Sequence, residues 1–457
     1  MRFEHERAVM VACALTMLAP LGGCDTRELK PIDPAVSQSF EIDVRGSTGD
    51  VDLLFVIDDS GSMVDEQESL RREIPQLVRG LTSPPLGDDG QPLWNAAESL
   101  HIAIVTTNLG TNGMPEDQTR VGSACAANGN LGDDGALLAC PGGSVSTWEP
   151  GQDIDAFVDD IGTCADVGDD GCGLEQPLLA GIKALGQAGF PRADALLGVV
   201  VLSDEEDCSL ADPATFFSGG EIGRAINQRC YLDTPSLVSI PDVVAQLRGD
   251  RDPDSFVFAA LIGVPEDLAG DDLGAMLADS RMTYVLSPTN DLGVEPACTR
   301  REGGELVGEA APGRRYIEVA QQVDGLVASI CAESYQPAIA ELTRRIGGRV
   351  EGICATRNLT PAEDGSVRCS VKETLPVGMT CDDLVARTYL MTDDEGREIC
   401  RVEQAIGDTT QGWFYDVSDP VCEQVSYTEG IAPPTEVGVT LSCLSRVEDS
   451  PDSPTGP

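Results

Sequence analysis

The sequence predicts an α/β protein: a doubly wound, mostly parallel sheet followed by a small disulfide-rich, β-containing C-terminal module. Three observations lead there. Continuous apolar runs such as Val51 to Ile57, Leu196 to Leu202 and Ser255 to Val264 read as strands buried on both faces, the pattern of a parallel sheet. Between them lie stretches with apolar residues at three- and four-residue spacing, the period of amphipathic helices. From Arg349 onward the texture changes to six cysteines, frequent Gly and Pro, and short alternating segments such as Val437 to Leu441. A core that small needs crosslinks.

The elements follow in order. After a possible lead-in strand at Ser39 to Val44, the first buried strand ends in Asp58-Asp-Ser60-Gly-Ser62. Ser62 is placed to cap a helix whose inner face is Leu70, Ile74, Leu77, Val78 and Leu81, with Pro75 expected to kink or shorten it. A second strand, Leu100 to Thr107, gives way to a long Gly/Asp/Asn segment, 108–152, and a helix at Ile154 to Ile161. The turn Thr163 to Cys172 leads to a helical pattern on Leu174, Leu178, Ile182 and Leu185. The strand Leu196 to Leu202 ends in Ser203-Asp204. A helix around Ile240 to Leu247, a strand at Ser255 to Val264, an insertion to about Gly313, and helices on Tyr316 to Val323 and Tyr335 to Ile346 complete the alternation. Alternating strands and helices argue for one α/β domain over 50–348. The remaining divisions are an export signal at 1–23, a tether at 24–49, the cysteine-rich module at 349–446 and a disordered tail at 447–457.

Charge and cysteines set the address. With 77 acidic and 30 basic residues the formal charge is −47, which excludes nucleic acid as a partner. Arg2 and Arg7, an apolar stretch from Ala8 to Leu18, and Leu21-Gly22-Gly23-Cys24 read as an export signal rather than a spanning helix. The last four residues resemble the bacterial lipobox, which implies lipidation of Cys24 and attachment to a membrane of the cell envelope, on the periplasmic side or the outer surface. Of sixteen cysteines, Cys13 leaves with the signal and Cys24 carries lipid, so an even number remains for disulfides. Nearest-neighbour pairing gives Cys125–Cys140, Cys164–Cys172, Cys208–Cys230, Cys298–Cys331, Cys354–Cys369, Cys381–Cys400 and Cys422–Cys443, and the sequence leaves other connectivities open. No Cys-x-x-Cys knuckle supports zinc.

Asp58-x-Ser60-x-Ser62 after one central strand and Asp204 after another resemble the von Willebrand factor A domain and its metal-ion-dependent adhesion site. That resemblance, over roughly residues 50–348, implies a divalent cation: magnesium first, with manganese or calcium as alternatives. The two serine hydroxyls would hold it, with Asp58 and Asp204 direct or through water. An acidic side chain of a protein partner would complete the shell. The family usually adds a threonine from a second loop. Here that loop reads Gly171-Cys-Gly173-Leu-Glu175, so Glu175 or water takes its place, and Thr106 and Thr107 end the neighbouring strand.

Other motifs carry less. Asp250-x-Asp252-x-Asp254 lacks the Gly and terminal Glu of an EF-hand loop and reads as a turn. Asp-Asp-Gly at 88–90, 133–135 and 169–171 uses turn formers. Asn358-Leu-Thr360 fits a glycosylation sequon. The chain has none of the His-Glu-x-x-His, Gly-x-Ser-x-Gly or Gly-Lys-Ser/Thr signatures, and His101, at a strand start, reads as a packed residue. The expectation is therefore a lipid-anchored binding or adhesion protein rather than an enzyme. The alternative is a structural envelope protein whose site no longer binds metal.

Overall fold

A computed structural model describes residues 38–44, 49–87, 92–119, 121, 123–218, 226–232, 234–270, 272–287, 293–351, 361–362, 364–393, 395–406, 411–417, 424–428, 430–431, 433 and 437–445. The export signal, Cys24, most of the tether, Cys354, Cys422, the Asn358 sequon, Asp88 to Gly90 and the tail lie outside them. The chain divides into two compact units, one of which is Phe40–Cys443, and the site lies in that unit.

The fold is mixed α/β around a six-stranded, mostly parallel sheet. After an initial strand β1 (Gln38–Val44), the sheet's strands are β2 (Asp50–Ile57), β3 (Ser99–Thr106), β4 (Ser146–Trp148), β5 (Leu196–Leu202) and β6 (Phe256–Ile262). A hairpin β7 (Cys298–Glu302) and β8 (Glu305–Ala310) intervenes before the last one, β9 (Leu326–Ser329). Their order is β4-β3-β2-β5-β6-β9, and only the β4 edge runs antiparallel. Val51 to Ile57 are buried throughout, Asp52 against Arg192 and the apolar residues as a central strand requires.

The helices follow the amphipathic pattern. Among the described residues, those of eight residues or more are α1 (Val64–Thr82), α2 (Ile154–Cys164), α3 (Pro177–Ala184), α4 (Ile240–Arg248), α5 (Arg314–Val323) and α6 (Gln336–Glu351). Leu53, Phe55 and Ile57 pack with α1, α2 and α6, while Leu54 and Val56 pack with α3, α4 and α5. Alternate residues of one strand thus anchor opposite helical layers. Helix α1 runs through Pro75 to Thr82. It begins at Val64 after Met63 rather than on Ser62, whose hydroxyl is turned to Ser60, 3.1 Å away, instead of the helix.

The register decides where side chains meet. Ile57 lies opposite Thr106 on one side and Leu202 on the other, so β3, β2 and β5 end flush. Loops far apart in sequence therefore emerge side by side, and two bridges around this sheet differ from nearest-neighbour pairing. Cys125 joins Cys172 and Cys140 joins Cys164, in place of Cys125–Cys140 and Cys164–Cys172. Cys208–Cys230, Cys298–Cys331 and Cys381–Cys400 do join sequence neighbours.

In the C-terminal part, β10 (Cys369–Thr374), β11 (Arg387–Thr392), β12 (Glu398–Val402), β13 (Trp413–Asp416), β14 (Gln424–Tyr427) and β15 (Gly438–Ser445) follow. One sheet has the order β1-β15-β10-β12-β11, and β13 pairs with β14. Cys369 lies opposite Cys443 across β10 and β15 and is bridged to it, so neither Cys354–Cys369 nor Cys422–Cys443 forms. Val371, Val402, Trp413, Tyr415, Val439 and Leu441 form its core. Arg387 makes a two-pronged ion pair to Glu373 at 2.6 and 2.7 Å, with both side chains buried. The described disulfides belong to an oxidising compartment, extracellular or within a cell envelope. Among the described residues no helix is long and apolar enough to cross a membrane.

Candidate metal centre

The flush ends of β3, β2 and β5 bring the acidic residues together. Asp58, directly after β2, is fully buried. Its backbone N–H donates to Leu202 O at 3.0 Å, continuing the ladder one residue past the strand. Its carboxylate accepts from the Ser60 N–H at 2.8 Å and the Ser203 hydroxyl at 2.6 Å. Those bonds close the turn that sets Ser60 and Ser62 side by side. The Ser62 hydroxyl also reaches the Asp204 carboxylate. Gln67 on α1 clamps the turn from behind, donating to Asp58 O at 2.9 Å and to Gly168 O at 2.8 Å.

The second loop comes in against the β3 side. Gly171 N–H donates to Asp59 O at 2.8 Å, so close that a Cβ at Gly171 would stand 2.5 Å from the Asp59 side chain. The Cys125–Cys172 bridge fixes the next residue. At Gly173 an added Cβ meets nothing within 4 Å. Two residues on, Glu175 is buried among the site groups, hydrogen-bonded by Thr107, and its backbone O accepts from Cys208 N–H at 2.8 Å.

Asp58, Asp59 and Glu175, all buried, each place a carboxylate oxygen within 4.8 Å of the others, and this cluster could hold a metal ion. Asp204 lies on the β5 side, 4 % exposed. Burial pushes every one of these carboxyls upward. Asp58 rises despite the hydrogen bonds from Ser203 and Ser60. Asp59 reaches about 7 through burial and then the Asp58 and Asp133 charges. Glu175 and Asp204 go well above the usual range, through burial and then the Asp58 charge.

The donor set fits a hard divalent cation on two grounds. First, Asp204 Oδ1 and Glu175 Oε1 are buried and accept no hydrogen bond, a costly state unless something positive completes them. Second, buried acids elsewhere have cationic partners: Asp52 has Arg192 at 2.6 Å, Asp207 has Arg315 at 2.9 Å, Glu373 has Arg387, and Glu66 has Arg300 at 3.3 Å. Glu206 instead accepts from the Arg314 and Arg315 N–H groups and from Tyr284. Among the described residues, Asp58, Asp59, Glu175 and Asp204 form no ion pair.

The sequence reading named Asp58, Ser60, Ser62, Asp204 and Glu175, and all five stand at this end of the sheet. It missed Asp59, because strand alternation sends that side chain away from Asp58. The turn after Ile57 breaks the alternation, and the Asp58-Asp59 doublet was the available signal. Ser203, the hydroxyl that orients Asp58, was also passed over.

No protein-family model and no curated protein matches the chain. Among solved structures it is similar to proximal thread matrix protein 1 from the mussel byssus, with 14% identity, 67% of this chain and 48% of that chain covered, and a TM-score of 0.26. It is similar to the pilus adhesin SpaC from Lactobacillus rhamnosus GG, with 10% identity, coverage of 91% and 42%, and a TM-score of 0.32. The pilus adhesin RrgA from Streptococcus pneumoniae has 11% identity, coverage of 89% and 58%, and a TM-score of 0.21. The chain spans about half the length of these proteins. Scores this low leave the site's own geometry as the basis for function.

Proposed function

We propose that the chain is a von Willebrand factor A-type binding protein of the cell envelope, lipid-anchored at Cys24, that captures a protein partner through a divalent cation, magnesium first. Ser60 and Ser62 would supply hydroxyl ligands, with Asp58 and Asp204 alongside. Hydroxyls leave an ion electrophilic, and an octahedral ion with retained waters keeps a position for an acidic group of the partner. The observation that carries this reading is the gathering of buried carboxylates, without an ion pair among the described residues, beside the Ser60–Ser62 pair at the end of the central strand. The residues would bind and orient an ion and its ligand.

The test is binding of envelope proteins by the full chain with and without chelator, beside an Asp58→Ala/Asp204→Ala variant. Binding lost in both cases, together with a thermal shift on adding Mg²⁺ that the variant lacks, supports the reading. A ligand at about 100 times its Kd stabilises by about 2.7 kcal/mol. Binding retained under all three conditions would sink the metal-dependent reading and leave the structural alternative, in which the domain assembles without metal.

A further inference from the structure

The sheet ends on β9, and among the described residues no strand lies on its other side. Ile330 N–H donates to Ile262 O at 2.9 Å, so the alternate residues Leu326 and Ala328 face β6 in the parallel ladder. Val327 and Ser329 therefore turn their peptide groups to the free edge. Ser329 O is taken by Ala332 N–H at 3.3 Å. Val327 N–H, Val327 O and Ser329 N–H have no ladder partner, although Val327 is 1 % and Ser329 2 % exposed. Backbone groups this sheltered are ordinarily paired. All four residues of β9 line a cavity of about 350 Å³, walled by Ala332, Tyr335 and Ala338 at the start of α6 and by Ala269 after the turn Glu266–Leu268. That volume lies in the range of ligand pockets, and the alanines leave room for apolar side chains of modest size. Two carboxylates border the cavity. Glu341 is held by Arg344 and Arg345 at 2.8 and 2.7 Å, whereas the exposed Glu266 is in no ion pair among the described residues.

We propose that the free edge of β9 is a docking site for an extended, cationic peptide segment of a partner protein. The segment's main chain pairs with Val327 and Ser329 as a further strand. Its alternate side chains, small and apolar, enter the cavity against Ala338 and Ala269, and a lysine or arginine meets Glu266. Three observations select this occupant. Open N–H and C=O groups at alternate residues of one strand match a backbone repeat, which an acyl chain or a compact apolar ligand lacks. Glu266, in a chain of formal charge −47, favours a cation. The same charge sets a second copy of this chain against the first. The site uses no residue assigned to the ion, so it stands independently of the metal reading.

The experiment selects a phage-displayed library of random eight-residue peptides on the full chain in EDTA, then measures the best synthetic peptide by fluorescence anisotropy. Enriched peptides are expected to alternate small apolar residues and to carry lysine or arginine. Ala338→Phe and Ala269→Trp, which fill the cavity, should each weaken binding at least about tenfold. Glu266→Gln should weaken it about threefold. Methylating the peptide nitrogens one at a time should alternate between about tenfold loss and no loss, because only every second N–H of an added strand faces β9. Circular dichroism checks each variant, and Ala269, being exposed, keeps the test decisive if Ala338→Phe does not fold. No enriched peptide, equal binding to the cavity-filled variants, or a methylation series without alternation overturns the proposal. Decanoate that binds wild type but neither filled variant, with no peptide enriched, also overturns it and gives the cavity to an apolar ligand.

Discussion

Asp59 makes the acidic face testable through pH alone. Its carboxyl, 6 % exposed, is pushed from 3.8 to about 7, mainly by burial. A folded-state value above the unfolded one means the fold favours the protonated form. The corresponding stability is complete below about pH 3.8 and lost as pH rises through about 7. Between pH 5 and 8 the loss corresponds to roughly two pH units, about 3 kcal/mol at 1.36 kcal/mol per unit. For a domain of this size 1 kcal/mol moves Tm by about 2 °C, so metal-free protein should lose about 5 °C over that range from Asp59 alone. Asp58, Glu175 and Asp204 are shifted in the same direction and add to it. The assay is thermal unfolding of the full chain in EDTA at intervals from pH 5 to 8, beside Asp59→Asn. The variant should flatten the slope by about 5 °C and be more stable than wild type at pH 8 without metal. Saturating Mg²⁺ or Mn²⁺ at pH 8 should raise wild type more than the variant. A metal-free Tm that is level or rises with pH, or the same slope in Asp59→Asn, refutes the electrostatic reasoning.

Other expectations concern the scaffold. Cys125→Ser/Cys172→Ser opens a bridge of sequence separation 47 and should cost about 4 kcal/mol in denaturant unfolding, with weaker Mn²⁺ binding because Gly171 to Glu175 lose their tie. Gly171→Ala puts a Cβ 2.5 Å from the Asp59 side chain and 2.7 Å from its carbonyl oxygen, and should cost about 1–3 kcal/mol and reduce ion affinity. Gly173→Ala meets nothing within 4 Å and should stay within about 0.5 kcal/mol in the same assay. Arg387→Ala leaves Glu373 charged and buried, and should destabilise the C-terminal sheet by about 3–5 kcal/mol in urea, whereas Arg387→Met/Glu373→Leu recovers most of that.

The central strands were legible because burial on both faces writes an unbroken apolar run, as in Leu53 to Ile57 and Leu196 to Leu202. The edge strands were not. Ser146–Trp148 and Leu326–Ser329 span three and four residues, too short for a period to be read, and the first sits within a Gly- and Asp-rich segment. The hairpin Cys298–Glu302 and Glu305–Ala310 hid for another reason: it is largely polar, and most of its residues are exposed or half-buried. Asp58, Ser60, Ser62 and Asp204 could be found because each follows a strand end in the same local pattern. Asp59 and the Cys125–Cys172 bridge depend on which loops lie beside one another, and that is a property of strand order rather than of sequence proximity.

Strand order also bears on whether the acidic face is a by-product of an acid-rich chain. A surplus of 77 acidic over 30 basic residues would by itself scatter unpaired carboxylates over the surface, where water solvates them. Instead arginines meet Asp52, Asp207 and Glu373 in buried ion pairs, while Asp58, Asp59, Glu175 and Asp204, which have no cationic partner among the described residues, gather at the ends of three adjacent strands. Once ionised, such groups repel one another and would drive their loops apart in the absence of a cation. The loops are held against that repulsion by Cys125–Cys172 on one side and by Cys208–Cys230 on the other, where Cys208 N–H also bonds Glu175 O. On the proposed reading, a face stapled in this way could release its ion and remain folded. Cation exchange would then tune binding without unfolding the domain, and reduction of the bridges should couple metal loss to loop opening, read as a rise in protease cleavage within residues 108–135 that appears only when reductant and chelator are combined.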